Sequence, residues 1–276
     1  MNQTRAVSVI GQIYLAIENN ELVLPTMPDS AIKIQRMLDD INISANQIVL
    51  AVASDPVIAA QLIKTANSAA YSDKPKVVSV MAAVSRLGFK LLRNLVLTIT
   101  MARLSNTNHP VIKKHLAEFW EHSREVAAIS YVLAKNQKHL NPDQAMLAGL
   151  VHDIGTLPLC LHAEKMISDL DDATLGTLVR KFRAQIGEKL LHAWEFPIEL
   201  IEVIIAHEDL LRETDSSRAS YADIVTVANM LNRVTANMIN WDNIAAVKRL
   251  WISQETCQKF FDIFDKELRA AREMLS

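Results

Sequence analysis

The chain has 276 residues, of which 50% are hydrophobic but only 5% aromatic, so a sizeable and mostly aliphatic core is expected. Its 29 basic and 31 acidic residues exclude a strongly basic surface that would attract nucleic acid or anionic membranes. With only 6 Gly and 8 Pro, the chain has few of the residues that punctuate many-stranded proteins. The composition therefore favours an all-α protein.

The cysteines and the N-terminus indicate the cellular compartment. Cys160 and Cys257 stand alone and match no metal-ligand spacing, so we expect reduced thiols in an intracellular protein. Residues Met1 to Ala16 lack the basic start, apolar run and small-residue cleavage site of a secretory signal. The long apolar stretch Val77 to Leu104 is interrupted by basic residues, so no membrane insertion is expected. We predict a cytoplasmic protein.

In the N-terminal part of the chain, helix caps precede runs with helical periodicity. Ser44, with Gln47 three residues later, predicts a capping box that opens a helix reaching Val52. Asp55-Pro56 supplies an N-cap and a first-turn proline for a helix reaching about Ala70. Both segments are therefore predicted to be helical.

The polar stretch SNTNHP, Ser105 to Pro110, is the best candidate for a boundary within the chain. It divides the sequence into an N-terminal helical half, residues 1–106, and a C-terminal helical half, residues 107–276. A connector this short gives no sign of independent motion, so we expect the two halves to pack as one unit.

The C-terminal half carries the same kind of helix signals. Asn141-Pro142 predicts the start of a helix that reaches Ile154, and Ser253 predicts the cap of a final C-terminal helix. The acidic segment Ser168 to Gly176 is expected to connect two helices. The polar segment Glu213 to Ser220 is expected to be an exposed loop.

The strongest chemical signal is LAGLVHDIGTL, Leu147 to Leu157. The adjacent His152 and Asp153 offer an imidazole and a carboxylate, which suit a divalent transition metal held beside the helix. Small residues on the face of His152, among them Gly155, would let a partner helix approach closely. The alternative is a helix C-terminus with a capping Gly155 and a structural histidine, and the dipeptide by itself favours this alternative.

Two further histidines stand on apolar helices. His122 shares a helical face with Val126 and other apolar residues, so it points inward and needs a partner, either Glu118 or a metal. His207 lies near the end of another apolar helix. Each histidine taken separately is more often a buried core residue than a ligand, but three separate helices each contribute one.

Several spaced motifs resemble the HDOD domain, a bacterial signalling relative of the HD metal phosphohydrolases. In chain order they are LPTMPDSAIKIQRMLDD (Leu24 to Asp40), DPVIAAQLIKTANSAAY (Asp55 to Tyr71) with its Asn67-Ser68 pair, VSVMAAVSRLGFKLLRNLVL with its Leu87-Gly88 pair, and Trp194-x-x-Pro197. The resemblance extends from about Leu24 to Arg233. It implies an all-α HD-superfamily helical bundle with an N-terminal helical subdomain.

The resemblance also implies which residues would bind a metal. His122 is similar to the first HD ligand, and His152-Asp153 is similar to the paired ligands. Where the enzymes carry a distant Asp this chain has Asn229, and where they carry further histidines it has Arg183 and Ala206-His207.

The amide of Asn229 is a weaker ligand than a carboxylate, so one divalent ion (Zn, Fe, Mn, Ni or Mg) is expected at partial occupancy, or none. Arg183 argues against a two-metal centre. Its guanidinium is expected either to bind a phosphate or to pair with Asp153.

For this family, the incomplete ligand set implies a non-catalytic or weakly catalytic signal-transduction module that acts through contacts with other signalling proteins. The alternative is a metal-dependent HD-type phosphohydrolase acting on a nucleotide or cyclic dinucleotide, provided that another acid such as Glu118 or Asp223 completes the site. We expect no nucleic-acid partner and leave a homo-oligomer open. Residues Leu24 to Tyr71 are expected to provide much of the interface, because this half distinguishes HDOD proteins from bare HD enzymes.

Overall fold

The computed structural model describes residues 11, 15–16, 19, 21–68, 71, 74–166, 171–233 and 240–275. Of the described residues 73% are helical, and the described ranges contain no strand. The helices of the N-terminal half are α1 (Asp29–Asp39), α2 (Ala45–Ala53), α3 (Pro56–Ala66) and α4 (Val80–Leu104). Those of the C-terminal half are α5 (Pro110–Lys135), α6 (Pro142–Val151), α7 (Thr156–Met166), α8 (Asp172–Ala193), α9 (Ile198–Ala206), α10 (Tyr221–Arg233), α11 (Ala245–Leu250), α12 (Gln254–Gln258), α13 (Phe260–Ile263) and α14 (Asp265–Glu273). The prediction of an all-α fold is confirmed.

The predicted helix starts of the N-terminal half are confirmed. Ser44 and Gln47 form the reciprocal capping box of α2. Asp55 caps α3 by accepting the backbone N–H groups of two residues in its first turn. Two Arg103 nitrogens also donate to the Asp55 carboxylate, each at 2.7 Å, and these bonds lower its pKa to about 2. The Asp55 carboxylate therefore caps the N-terminus of α3 and links this helix, through Arg103, to the end of α4.

The Asn67-Ser68 motif ends a helix earlier than the sequence predicted. Helix α3 stops at Ala66, because Asn67 turns the chain and binds the backbone of Val77 in both directions. Its Nδ2 donates to the Val77 carbonyl at 2.7 Å, and the Val77 N–H donates to its Oδ1 at 2.8 Å. Ala70, the predicted end of this helix, lies outside the described residues.

The Leu87-Gly88 motif bends the longest helix of the N-terminal half. Gly88 has φ 75° and ψ 168°, a conformation that residues with a Cβ rarely adopt, and α4 changes direction there. Leu87 is buried just before the bend. The motif therefore has a structural role in shaping α4.

In the C-terminal half, tertiary packing moves several helix ends. Helix α6 stops at Val151, and residues 152–155 form a turn rather than its last helical turn. Helix α8 begins at Asp172, so it includes Gly176, which the sequence assigned to a connector. The irregular segment 213–220 agrees with the predicted loop.

The predicted final helix is broken into three pieces. Ser253 caps α12 as expected, but Lys259 and Phe264 have non-helical backbone angles and separate α12, α13 and α14. Phe260 lies between the breaks and is fully buried. The two breaks therefore flank an aromatic ring that belongs to the core.

Both halves contribute to one continuous hydrophobic core, which contains buried residues of α1 to α6, α8 to α11 and the C-terminal helices. Across the connector, Asn94 of α4 donates from Nδ2 to the carbonyl of Asp143 at the start of α6, at 2.8 Å. Helix α4 ends at Leu104 and α5 begins at Pro110, on either side of the predicted boundary. The division at residue 106 itself stays a prediction.

One stretch, Pro142–Lys165, is long and apolar enough to meet the length and composition criteria of a membrane span, which the sequence analysis did not anticipate. In the fold, 89% of its apolar window is buried inside the protein. The stretch is also broken by the turn at residues 152–155. This degree of burial is typical of a core helix in a globular protein.

Both cysteines are free and buried. Burial raises the pKa of Cys160 and of Cys257 to about 12. The thiols are therefore protonated at neutral pH and unsuited to metal binding or nucleophilic chemistry.

Candidate functional site

The turn that follows α6 carries His152 and Asp153 into the interior. Both side chains are buried. A Cβ atom on Gly155 would lie 1.9 Å from the carbonyl oxygen of Arg183, so the backbones of this turn and of α8 touch only because residue 155 is glycine. Of the two roles proposed for Gly155, close helix approach is the one observed. This approach brings Arg183 to Asp153.

In both His152 and His207, Nδ1 binds a backbone carbonyl and Nε2 faces the other residues of the cluster. His152 Nδ1 lies 2.7 Å from the carbonyl oxygen of Gly149, and His207 Nδ1 lies 3.0 Å from that of Val203. A carbonyl oxygen can only accept, so Nδ1 carries the proton in both rings and Nε2 carries a lone pair. His207 Nε2 is buried and has no hydrogen-bond partner among the described residues.

His122 of α5 completes the group from the opposite side. Its Nδ1 lies 2.5 Å from Oδ1 of Asn232 on α10, which leaves its Nε2 as an acceptor. The sequence analysis proposed Glu118 as the partner of His122, and this is wrong. Glu118 is 61% exposed and lies 3.9 Å from Lys114 on the outer face of α5.

The inward-facing atoms lie within a few ångströms of one another. His122 Nε2 is 3.1 Å from His152 Nε2, and His152 Nε2 is 3.6 Å from Asp153 Oδ2. His207 Nε2 is 3.5 Å from Asp153 Oδ1, and its ring meets the His152 ring edge-on at a centroid distance of 5.0 Å. The structure thus brings together the four residues that the sequence analysis grouped. Their role as metal ligands stays a prediction.

The environment sets the charge of each group. Burial lowers the pKa of His152 to about 3, and burial together with the nearby Arg233 charge lowers the pKa of His122. Burial by itself would raise the pKa of Asp153, but the positive charge of the Arg183 guanidinium acts to lower it, and the net pKa lies well below its usual range. At neutral pH the imidazoles of His122 and His152 are therefore neutral and the Asp153 carboxylate is ionised.

Two arginines form ion pairs with the Asp153 carboxylate. Arg183 Nε donates to Asp153 Oδ1 at 2.7 Å, and Arg233 Nη2 donates to Asp153 Oδ2 at 2.8 Å. The same Arg233 nitrogen lies 3.3 Å from His122 Nε2. Both guanidinium groups also form ion pairs with Glu208. Arg183 thus pairs with Asp153, one of the two roles expected for it, and phosphate binding by Arg183 stays a prediction.

Sequence reasoning missed Asn232, Arg233 and Glu208. A signal was present, because Asn232 and Arg233 follow Asn229 by one helical turn on α10, and Glu208 follows His207 directly. Asn229 itself is buried, and its Oδ1 has no hydrogen-bond partner among the described residues. Helix α10 therefore contacts the cluster through one amide and one guanidinium, and by helical spacing Asn229 lies on the same face of the helix.

The second acid considered for completing the site is also engaged elsewhere. Asp223 is buried and accepts hydrogen bonds from Arg212 at 2.9 Å and from two nitrogens of Arg249. It also accepts from the backbone and hydroxyl of Ser220. The described residues thus supply Asp153 as the carboxylate that touches the histidine cluster.

The donor set fits a single divalent ion in part. The ligand atoms of His122, His152 and Asp153 all lie within 4.8 Å of one another. Ligands at about 2.0 to 2.2 Å from one ion stand roughly 3 to 3.6 Å apart, close to the observed separations. However, Arg233 already contacts two of the three atoms, so a metal would have to compete with its guanidinium.

An all-helical bundle with a His and His-Asp cluster between its helices defines a protein of the HD class. Within that class, a family model described as the HDOD domain matches residues 24–210. This is more than half of the chain, so the chain belongs to the HDOD-domain family. The resemblance seen in the sequence is confirmed.

Solved structures agree in fold. A Shewanella amazonensis protein provisionally described as a metal-dependent phosphohydrolase is 23% identical, covers 99% of this chain and 100% of its own, and has a TM-score of 0.75. An HDOD domain protein of unknown function from Geobacter sulfurreducens is 22% identical with a TM-score of 0.66, over 100% of this chain and 99% of that one. Identities this low show the fold alone.

Two further relatives are longer than this chain. A structure from Marinobacter aquaeolei, provisionally described as a signal transduction protein, is 22% identical, with a TM-score of 0.63 over 99% of this chain and 67% of that one. A Treponema pallidum protein is 22% identical over 264 residues, which span 87% of this chain but only 50% of that relative. The chain thus spans half the length of this curated relative.

Proposed function

We propose that this HDOD-domain protein is a non-catalytic or weakly catalytic signal-transduction module in the cytoplasm, and that it acts through contacts with other proteins. One observation carries the proposal: the carboxylate of Asp153 is held by Arg183 and Arg233 together. In some proteins buried ion pairs hold elements in register, and we propose that role for this pair. Here they join α8 and α10 to the turn after α6.

The same ion pairs work against hydrolysis. Phosphoester hydrolysis in such a site needs a metal that acidifies its bound water and polarises the phosphoryl group. A guanidinium has no lone pair for a metal, and two of them offset the negative charge that would attract one. Arg183 and Ala206 also stand where the resemblance implies further histidine ligands. Two-metal chemistry therefore lacks its donors.

A second candidate function has one observation in its favour. The lone pairs of His122 Nε2 and His152 Nε2 face each other at 3.1 Å, an arrangement that a cation between them would stabilise. His122, His152 and Asp153 would hold the ion, with His207 and Asn229 as further candidates. A bound Zn, Fe, Mn, Ni or Mg ion would supply Lewis-acid activation of water and phosphate. The alternative function is thus a phosphohydrolase acting on a nucleotide or cyclic dinucleotide.

A turnover assay separates the two functions. We expect protein incubated with each metal to hydrolyse cyclic dinucleotides, nucleotides and bis(4-nitrophenyl) phosphate little or no faster than the metal in buffer. The reason is the incomplete and arginine-bound ligand set. Turnover well above this background that disappears in both His152→Ala and Asp153→Asn, with the helical circular dichroism retained, would refute the regulatory function.

We further propose that the N-terminal half supplies much of the interface with signalling partners or with a second copy of the chain. Large apolar side chains are exposed there, including Ile41 at 96% and Leu50 at 69%. Isolated exposed apolar residues are common, but two on neighbouring elements favour a binding surface. The roles of Asn67 and Gly88 in turns argue that those motifs themselves are structural.

Partner capture from a lysate of the source bacterium tests this interface. The double variant Ile41→Ser with Leu50→Ser should lose the proteins that the wild-type chain captures, because their apolar contacts are removed. Its thermal unfolding should stay close to that of the wild type, since both residues are exposed. His152→Ala is the matched control. Loss of capture in that control alone would place the interface elsewhere.

A further inference from the structure

A cleft of about 540 Å³ lies between the two halves of the fold, away from the histidine cluster. One side is formed by the segment before α1, by α1 itself and by α4. The other side is formed by the first turns of α6 and by the segment joining α8 to α9. The cleft shares no lining residue with the cluster, and its volume lies in the range of small-molecule sites.

The walls of the cleft are mainly apolar, and contacts within the protein hold the aromatic side chains in place. The larger apolar residues among them include Met27, Ile32, Leu147, Trp194, Phe196 and Leu200. The indole N–H of Trp194 donates to the carbonyl of Pro25 at 3.1 Å, and its ring lies beside that of Phe196 at a centroid distance of 6.5 Å. An aromatic or other apolar body could therefore be buried without rearranging the aromatic wall.

Most of the charged side chains around the cleft are paired with each other. Arg93 binds Asp39 at 2.5 Å, and Arg36 lies 4.0 Å from Glu195 at the exposed rim. Asp143, in the first turn of α6, differs from these. Its side chain is half-buried, and within the described ranges no hydrogen bond or ion pair reaches its carboxylate.

A half-buried carboxylate without a partner is costly, and the cost is removed when a donor or a cation binds it. Burial raises the pKa of Asp143, even though the nearby Lys90 ammonium acts to lower it. This direction agrees with a group that has lost water and gained no protein donor. The cleft thus combines an apolar interior with one unsatisfied acceptor.

We infer that this cleft binds a small molecule that has an aromatic or other apolar body and a protonated amine or amidine group. The cationic group binds the Asp143 carboxylate, and the body packs against Trp194 and Phe196. Lys90 also lines the cleft and would favour an anion, but it is exposed, whereas Asp143 is half-buried. The less solvated charge interacts more strongly, so the cationic ligand is favoured.

The inference goes beyond the proposed signalling function and does not depend on the histidine cluster. Helix α6 nevertheless connects the cleft to the histidine cluster. Helix α6 begins beside the cleft with Asp143 and ends at Val151, directly before His152. Ten residues of helix span about 15 Å, so one rigid element joins the two regions.

Benzamidine is a suitable probe, because it is an aromatic ring with an amidinium group, and benzoate is its charge-reversed counterpart. We expect benzamidine to shift the Trp194 indole N–H resonance saturably in ¹⁵N-labelled protein, and benzoate to have little effect. Asp143→Asn should weaken benzamidine binding about tenfold, the usual size for a hydrogen bond to a charged group. Lys90→Gln should strengthen it, because a neighbouring positive charge is removed.

The variant Ala193→Met serves as a second test, because it narrows the cleft without touching Asp143 and should also weaken binding. Circular dichroism of each variant checks that the fold is retained. Equal or tighter binding of benzoate would identify an anion site at Lys90 and overturn the inference. Benzamidine binding unchanged in Asp143→Asn, or no saturable shift in the wild type, would overturn it as well.

Discussion

Replacing Asp153 with alanine is expected to destabilise the protein by about 3 to 5 kcal/mol, the usual cost of removing one partner from a buried ion pair. The side chain of Asp153 is only 6% exposed, and it accepts from both Arg183 and Arg233. Arg183 is also buried, so its charge would keep only Glu208 as a partner after the substitution. Arg233 is 39% exposed and can turn towards water, so we expect the loss of stability to lie near the lower end of this range.

Urea unfolding followed by circular dichroism measures this change. Asp153→Asn should cost less, because an amide oxygen can still accept from one arginine. Asp223→Ala is the matched control, since Asp223 is another buried carboxylate held by two arginines, Arg212 and Arg249. Both alanine variants should be destabilised to a similar extent. A free energy of unfolding within 0.5 kcal/mol of the wild type for Asp153→Ala would contradict the prediction, 0.5 being roughly the scatter of surface substitutions.

Replacing Arg233 with alanine is expected to increase the affinity for a divalent metal by about 10- to 100-fold. The guanidinium contacts Asp153 Oδ2 at 2.8 Å and His122 Nε2 at 3.3 Å, two of the three atoms that would hold the ion. A guanidinium and a divalent ion a few ångströms apart repel each other by several kcal/mol at an effective dielectric constant of about 20. The partial exposure of Arg233 lets it move aside in the wild type, which reduces the difference in metal affinity between the wild type and Arg233→Ala.

Isothermal titration with Mn²⁺ and with Zn²⁺ measures this affinity without any reliance on turnover. Arg233→Lys keeps the positive charge and should bind metal nearly as weakly as the wild type. Arg272→Ala is the matched control, because Arg272 pairs with Glu125 on α5 and, among the described residues, has no hydrogen bond or ion pair with the histidine cluster. Metal affinity that is equal in Arg233→Ala and in Arg272→Ala would show that Arg233 does not compete with the ion.

Local signals were enough to predict helices but not where all of them end. Ser44, Asp55 and Asn141 cap helices as predicted, because a cap and the groups it binds lie within one turn of the chain. The end of α3 and the breaks at Lys259 and Phe264 were not predicted. They depend on the bond of Asn67 to a backbone ten residues away and on burial of Phe260, which only the folded chain provides.

The sequence by itself determined the helical class, the HDOD resemblance and the grouping of His122, His152 and Asp153 with His207. The helical class follows from caps and periodicity, whereas the grouping of these four residues is what the resemblance to HD-type proteins implied. Tertiary structure alone decided what each of them binds. Asn232 rather than Glu118 faces His122, across 110 positions of sequence, and Arg233 reaches Asp153 across 80. Arg183 reaches Asp153 because the backbone of Gly155 touches α8, a contact that any Cβ would block.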